Sequence, residues 1–286
     1  CSDLGKDMRE KMGIDYVQMR VIHNGVDLPA TLDWDEYSVE ELYGWLKENH
    51  EVKTNLIPMT EFINKWRPVL ESGKDILYIA CSSALSGSIS VSLLAREQLL
   101  EEFPDAKIIC IDSLAGSMTE GMVAYMAAAQ QKSGKTIEET AEWVEQNKLK
   151  CNQFATVDTL NYLAKSGRIK TSKAFFGNIF KVKPIFISDA HGNNYTVGKA
   201  KGRKASMEVL IQGVKDTIEN PEESIVFIGH ANDFEAAEYL KKRIEEEVNP
   251  KEIYVNYIGP IVGVTCGPGT IATFCFGKEV TVFSEE

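Results

Sequence analysis

Several signals that would assign a chemistry directly are missing from this sequence of 286 residues. It has no run of about 18 apolar residues, so no stable insertion into a membrane is expected. It has no Walker loop and no G-x-G-x-x-G motif, which weakens a nucleotide-binding interpretation. No serine lies in a G-x-S-x-G elbow, and the cysteines show neither a CxxC pair nor a zinc-like spacing. The sequence therefore predicts no metal site and no cofactor.

Basic charge is also scarce, with 31 lysines and arginines against 42 acidic residues and a net charge of −11. This balance argues against nucleic acid as the main partner, because binding to phosphate backbones rewards basic surfaces. The six cysteines lie far apart, and several of them stand in apolar runs where a thiol behaves as a small hydrophobe. A reducing compartment fits this pattern. With no recognisable signal peptide, a cytoplasmic location is expected.

Apolar strand-like runs alternate with segments of helical periodicity, which predicts an α/β fold. We expect two α/β domains, residues 1–149 and 150–286, with mostly parallel sheets and a ligand cleft between them. The opening Cys1–Leu4 lacks an initiator methionine and reads like the middle of a sequence. Predicted elements include strand Ile76–Ala80, helix Ser86–Glu102, helix Thr159–Lys165 capped by Asp158, a hairpin turning at His191–Asn194, and strand Val280–Phe283.

The loop Cys81–Ser88, rich in small hydroxyl residues, is the most informative segment. It follows an apolar run and precedes an amphipathic segment, an order that predicts a buried strand, a tight turn and a helix start. Such a turn directs free backbone N–H groups and the positive end of a helix dipole at one point, which suits an anion. No lysine or arginine lies between Asp75 and Ala95, so a carboxylate is favoured over a phosphate. The alternative is a capping loop without a ligand.

Two further segments are candidates for the same ligand. The segment Gly259–Gly269 places four glycines and two prolines around Thr265 and Cys266, and glycines permit close approach of backbone to a ligand. A turn of strict geometry is the alternative. Thr54, in the run Thr54–Pro58, offers another hydroxyl, although a threonine before a helix is usually a cap.

Basic residues are concentrated in Gly167–Ile169 and in Lys199–Lys204, which include Arg168 and Arg203. Charge statistics alone favour a solvated surface. In an acidic protein, such residues could instead dock an acidic or phosphate-bearing partner.

Two other classes of function remain open at this point. Ser86 could be the nucleophile of an acyl ester hydrolase, but none of the four histidines stands in an identifiable arrangement with it. A sensor that binds a small polar anion is also compatible with the serine-rich loop.

Taken together, the motifs resemble the DegV family of bacterial fatty-acid-binding proteins, the acyl-carrying subunits of fatty acid kinase, and the resemblance covers nearly the whole chain. The segments that carry it are Ser82–Ser88, Asp112-Ser113, Leu160–Ile169, Lys183–Phe186 and Ile258–Gly269.

The resemblance implies two α/β domains with a long-chain fatty acid between them, its tail in an apolar tunnel. It also implies that the first domain lacks its first strand. The implied ligands of its carboxylate are Thr54 and Ser86, with Gly87, Ser88 and Thr265 as further donors. A separate kinase would phosphorylate the exposed carboxylate, so this chain would contribute no catalytic group. Arg168 and Arg203 are the implied docking residues for that kinase.

The sequence departs from the family pattern at two positions. Thr265 stands where the family commonly has a histidine, and a hydroxyl neither carries a charge nor titrates near neutrality. Thr54 is followed by Asn-Leu-Ile-Pro instead of a more hydroxyl-rich stretch. These differences concern coupling to the kinase and the preferred ligand more than the binding of a lipid.

Overall fold

The computed structural model describes residues 1–170 and 182–284. The strands are β1 Met19–His23, β2 Val26–Ala30, β3 Val52–Asn55, β4 Ile76–Ala80, β5 Ile108–Asp112, β6 Cys151–Thr156, β7 Val182–Ser188, β8 Asn194–Lys201, β9 Ile225–His230, β10 Glu252–Tyr257 and β11 Ile271–Phe276. The helices are α1 Lys6–Met12, α2 Val39–Lys47, α3 Met59–Glu71, α4 Ser88–Glu102, α5 Ser117–Lys132, α6 Ile137–Asn147, α7 Asn161–Ser166, α8 Arg203–Thr217, α9 Phe234–Glu247 and α10 Pro260–Cys266.

The strands form three sheets. An antiparallel sheet has the order β2-β1-β3, and the pair β4-β5 is parallel. The third sheet is six-stranded with the order β10-β9-β11-β6-β7-β8. The α/β class is therefore confirmed, and so is the hairpin at 191–194, which joins β7 to β8.

The prediction of mostly parallel sheets is wrong. Among the described strands of the six-stranded sheet, β9 and β10 are the only neighbours that pair in parallel. β11 is inserted between β9 and β6 and is antiparallel to both. Continuous apolar runs favour parallel strands, because parallel strands are buried on both faces of the sheet. Here the same burial arises differently, since α8 packs on one face of β6 and β11 and α5 packs on the other. A continuous apolar run thus indicates two-sided burial, not strand direction.

The two faces of β11 illustrate this arrangement. Ile271 and Cys275 belong to a core cluster with α8 and α9, whereas Ala272 and Phe274 belong to a larger cluster that reaches α2, α3 and α5. Side chains alternate between the faces of a strand, so every second residue of β11 is directed to the larger cluster. That face is the one on which the candidate site lies.

Residues near the start of the chain cross-link this larger cluster. Asp3 and Leu4 are almost fully buried, and the Ser117 hydroxyl donates to Asp3 Oδ2 at 2.7 Å. The side-chain amide of Asn256 donates to the Asp3 carbonyl at 2.9 Å. In the same region, the Tyr43 hydroxyl donates to the Ile258 carbonyl at 2.7 Å. These bonds tie residues from distant parts of the sequence to the segment that precedes α10.

Two local predictions also need correction. Asp158 does not cap α7, which begins later, at Asn161; the Asp158 carboxylate instead accepts a bond of 2.6 Å from Lys183 Nζ. Residues 280–283 are not a strand, although the Val280 N–H and the Val282 carbonyl are hydrogen-bonded to other segments. The glycine-rich segment, for which a turn is the alternative to a ligand site, contains the helix α10. Within the described ranges, no helix combines the length and apolar character needed to cross a membrane.

Candidate functional site

A cavity of about 530 Å³ lies against β3, β6, β11, α7, α10 and the serine-rich loop. Its volume falls within the range of about 300–1,000 Å³ that is typical of small-molecule sites. The inner wall is mainly apolar and is built by side chains that include Met19, Leu163, Phe186, Ile258, Ile261, Val262, Ala272 and Phe274. This lining does not match the short polar cavity expected of a sensor for a small anion.

The mouth of the cavity is different in character, because half-buried and exposed residues form it. Leu56 lies beside Gly87, since a Cβ atom built on Gly87 would be 3.5 Å from Leu56 Cδ2. The Leu85 carbonyl accepts a long bond of 3.4 Å from Arg168 Nε, and the Arg168 carbonyl accepts a bond of 3.0 Å from Asn194 Nδ2. These contacts bring β3, the serine-rich loop, α7 and the hairpin together at one rim.

The serine-rich loop connects β4 to α4 as predicted, and α4 begins at Ser88. Its turn is stabilised internally, because the Ser82 carbonyl accepts from the N–H groups of Leu85 and Ser86 at 2.9 Å. The Ser86 hydroxyl lines the cavity and lies 2.9 Å from the Ser88 hydroxyl. Ser88 is buried and does not line this cavity, so its position is behind Ser86.

Thr54 and Thr265 also line the cavity, as does Gly87. Thr54 is half-buried on β3, where it pairs with Val21. The Thr265 hydroxyl donates to the Ile261 carbonyl at 2.9 Å within α10. Since a hydroxyl has one proton, Thr265 in this arrangement offers the cavity an acceptor and no donor.

The glycines of the segment before β11 have a packing role that sequence reasoning did not identify. A methyl group on Gly263 would lie 2.6 Å from the Tyr43 hydroxyl oxygen, so α10 can approach α2 only with glycine at this position. This close contact places Ile261, Val262 and Thr265 on the cavity wall.

Arg168, which the resemblance implied as a docking residue for the kinase, supplies a cationic group at the mouth of the cavity. The helix α7 ends at Gly167, whose φ of 69° is a left-handed C-cap, and the chain turns there so that the exposed Arg168 lines the cavity mouth. Arg20 lines the cavity as well, and its Nε donates to Asp27 Oδ1 at 2.9 Å. The Gly-Arg pair after a helix was the available signal, whereas nothing in the sequence indicated Arg20.

Gln153 and Asn194 are further polar residues of the lining that the sequence analysis missed. Gln153 Nε2 donates to Asn194 Oδ1 at 3.3 Å. They meet because β6, β7 and β8 are neighbours in the sheet, and the linear sequence carries no signal for that pairing.

Arg203 lies outside the cavity lining. Its guanidinium forms an ion pair with Asp233, and its Nη1 is 3.9 Å from Asp158 Oδ1. The structure therefore does not bring the two predicted docking residues into the same environment. Arg168 is exposed at the cavity mouth, and Arg203 is half-buried in an ion-pair cluster.

His230, one of the four histidines that could serve as a catalytic base, is almost fully buried at the end of β9. Its Nδ1 accepts from the Asp233 N–H at 3.2 Å, and burial lowers its pKa to about 4. In residues 1–170 and 182–284, no hydrogen bond joins Ser86 to a histidine. The arrangement therefore lacks the nucleophile–base pair of a serine hydrolase.

The cavity thus combines a mainly apolar wall with hydroxyl and guanidinium groups at its mouth, and such a lining suits an amphipathic ligand. The model of the DegV family, whose members are described as uncharacterised proteins, matches residues 1–278, and the chain belongs to this family. The resemblance inferred from the motifs is thus confirmed. A curated relative, the DegV domain-containing protein CPE0026 of Clostridium perfringens, is 37% identical over 278 residues, which cover 97% of this chain and 95% of the relative.

Solved structures share the fold. A fatty-acid-binding DegV family protein from Thermus thermophilus has a TM-score of 0.87 at 23% identity, covering 97% of this chain and 96% of that one. A stearic acid-binding protein from Eubacterium ventriosum has a TM-score of 0.86 at 24% identity, covering 98% and 97%. At these identities the likeness establishes the fold.

Proposed function

We propose that this protein binds one long-chain fatty acid, with the acyl chain in the apolar part of the cavity and the carboxylate at its mouth. The observation that carries the proposal is the division of one cavity into a mainly apolar, largely buried wall and a mouth with hydroxyl and guanidinium groups. The fatty acids bound by DegV proteins of the same fold support it. No cofactor takes part.

The carboxylate is held by the hydroxyls of Thr54 and Ser86 and by the N–H of Gly87. Ser88 acts indirectly, since its hydroxyl orients that of Ser86. Thr265 donates to a carboxylate only if it gives up its bond to Ile261, so it contributes less than Thr54 or Ser86. Hydrogen bonds to a charged acceptor are each worth about 1.5–3 kcal/mol.

Most of the binding free energy comes from the acyl chain. Burying a methylene is favourable by about 0.8 kcal/mol, so the roughly 14 methylenes of palmitate contribute about 11 kcal/mol before the costs of association. The head-group contacts then orient the ligand and discriminate against molecules that lack the carboxylate.

We further propose that the protein presents the carboxylate to a separate kinase, which forms the acyl phosphate, and that it is itself not an enzyme. Arg168 stands at the mouth, where a docked kinase would approach the carboxylate, and Arg203 is proposed as a second docking residue at the ion-pair cluster with Asp233. The ester hydrolase alternative is disfavoured because Ser86 has a serine, and no histidine, as its hydrogen-bond partner among the described residues.

Two coarser properties belong to the same proposal. The domain division is placed at 149/150, just before β6 enters the six-stranded sheet. A cytoplasmic location is supported by the cysteines, all six of which are free thiols.

The test is native mass spectrometry of the purified protein together with organic extraction of its ligand. We expect one fatty acid per chain, and after delipidation we expect tight binding of palmitate or oleate. The variant Ser86→Ala should weaken binding of the acid by about 10- to 150-fold, from the loss of one bond to a charged group worth about 1.5–3 kcal/mol. The matched control, Ser90→Ala, changes an exposed serine in the first turn of α4, just after the loop, and should have no effect. An empty protein that also ignores added fatty acid would refute the proposal.

A further inference from the structure

A group of metal-ligating side chains lies beside the cavity. The sulfurs of Cys1 and Cys81 and a carboxylate oxygen of Glu120 are all within 4.8 Å of one another. They come from three separate parts of the chain: the segment before α1, the residue after β4, and the first turn of α5. The proposed binding of a fatty acid does not require Cys1, Cys81 and Glu120 to lie together.

One oxygen of the carboxylate in this group is buried without a hydrogen-bond partner among the described residues. Glu120 is 6% exposed, and its Oε2 has no hydrogen-bond partner within the described part of the chain. Its Oε1 is 4.0 Å from the backbone nitrogen of Cys1, which is beyond hydrogen-bond distance. A buried carboxylate of this kind is costly unless it is paired or coordinates a metal.

The donor set and its spacing match a thiophilic divalent cation. In a tetrahedral site with Zn–S bonds of about 2.3 Å, two sulfurs lie about 3.8 Å apart, and a sulfur and a carboxylate oxygen lie slightly closer. The three ligand atoms lie within 4.8 Å of one another, so side-chain rotations that move each atom by less than about 1 Å bring them to that spacing. Thiolate ligands favour zinc over the harder magnesium and calcium ions.

We propose that Cys1, Cys81 and Glu120 form a binding site for one Zn²⁺ ion. The three protein ligands leave a fourth position, which water fills. Space for that water exists because the site borders two cavities. Cys1 and Cys81 line the cavity described above, and together with Glu120 they line a second cavity of about 550 Å³. The Met19 sulfur, 3.2 Å from the sulfur of Cys1, places a further soft atom beside the site.

The experiment uses Co²⁺, which reports thiolate ligation through a charge-transfer absorption, on delipidated and reduced protein with a purification tag at the C-terminus. We expect one Co²⁺ per chain with a thiolate charge-transfer band, and we expect one equivalent of Zn²⁺ to abolish the band. Cys81→Ser should remove it, and Glu120→Gln should weaken Co²⁺ binding by at least about tenfold.

Cys110→Ser is the matched control, because Cys110 is a thiol on the neighbouring strand β5 and is not part of the group. It should bind Co²⁺ like the unmodified protein. If Cys81→Ser does not fold, Cys1→Ser replaces it as the test of thiolate ligation. Absence of the band, an equal band in the cysteine variants, or a Cys1–Cys81 disulfide in place of metal binding would each overturn the proposal. The readout involves no lipid, so its failure would leave the fatty-acid proposal standing.

Discussion

Replacing Ala272 by leucine should shorten the acyl chain that the cavity accommodates. Ala272 is 3% exposed, lines the cavity, and is paired in register with Ala155, which lines it too. Two alanines side by side on the central strands β6 and β11 leave room that larger side chains would fill. A leucine at position 272 adds three carbon atoms to this wall, and these atoms displace about as many methylenes of the ligand.

The magnitude follows from the transfer free energy of a methylene. Three displaced methylenes at about 0.8 kcal/mol each weaken binding of a long chain by about 2.4 kcal/mol, which corresponds to roughly 50-fold in Kd. A fatty acid that is shorter by about three carbons already leaves this space empty, so its affinity should change little. The variant should therefore move the chain-length preference downward and leave the head-group contacts intact.

The assay is isothermal titration calorimetry of the delipidated variant with a series of saturated fatty acids from laurate to stearate. Ala200→Leu is the matched control, because Ala200 lies in the same sheet but belongs to the core cluster on the opposite face. Thermal unfolding checks that both variants are folded, since overpacking a core costs about 1–3 kcal/mol. Equal weakening for every chain length, or no change for any, would refute the placement of the acyl chain against Ala272.

Three predictions concern the frame of the site. Tyr43→Phe leaves the buried Ile258 carbonyl unpaired, so urea unfolding should show a loss of about 1–3 kcal/mol; a loss below about 0.5 kcal/mol would contradict this. Asp233→Ala removes the N-cap bond to the Ala236 N–H and should cost about 1–2 kcal/mol, with Asp233→Asn, which can still cap, costing less. Burial holds the pKa of His230 at about 4, below its ordinary 6.5, so between these pH values the unfolded state binds a proton that the folded state does not. The free energy of unfolding therefore decreases as the pH falls from about 6.5 to 4. In His230→Asn, urea unfolding at a series of pH values should show a shallower loss over that window, and an unchanged slope would refute the assignment.

Features that depend on neighbouring residues could be predicted from the sequence. The order of strand, serine-rich loop and helix around Ser82–Ser88 is local, because a tight turn and a helix start are set by residues a few positions apart. The hairpin at 191–194 is local for the same reason. The hydroxyls of Thr54, Ser86 and Thr265 were identified as candidates, and the structure places them on one cavity.

Strand direction and the composition of the cavity mouth depended on tertiary structure. The insertion of β11 between β9 and β6 pairs segments that are far apart in the chain, and apolar runs buried by helices on both faces look alike in parallel and antiparallel strands. The same reason applies to Arg168, which reaches the serine-rich loop across a sequence separation of 83 residues. Local patterns and motifs were therefore enough to predict the α/β class, the serine-rich turn and the family. Which distant side chains meet depends on sheet order and helix packing, and local periodicity does not encode either of them.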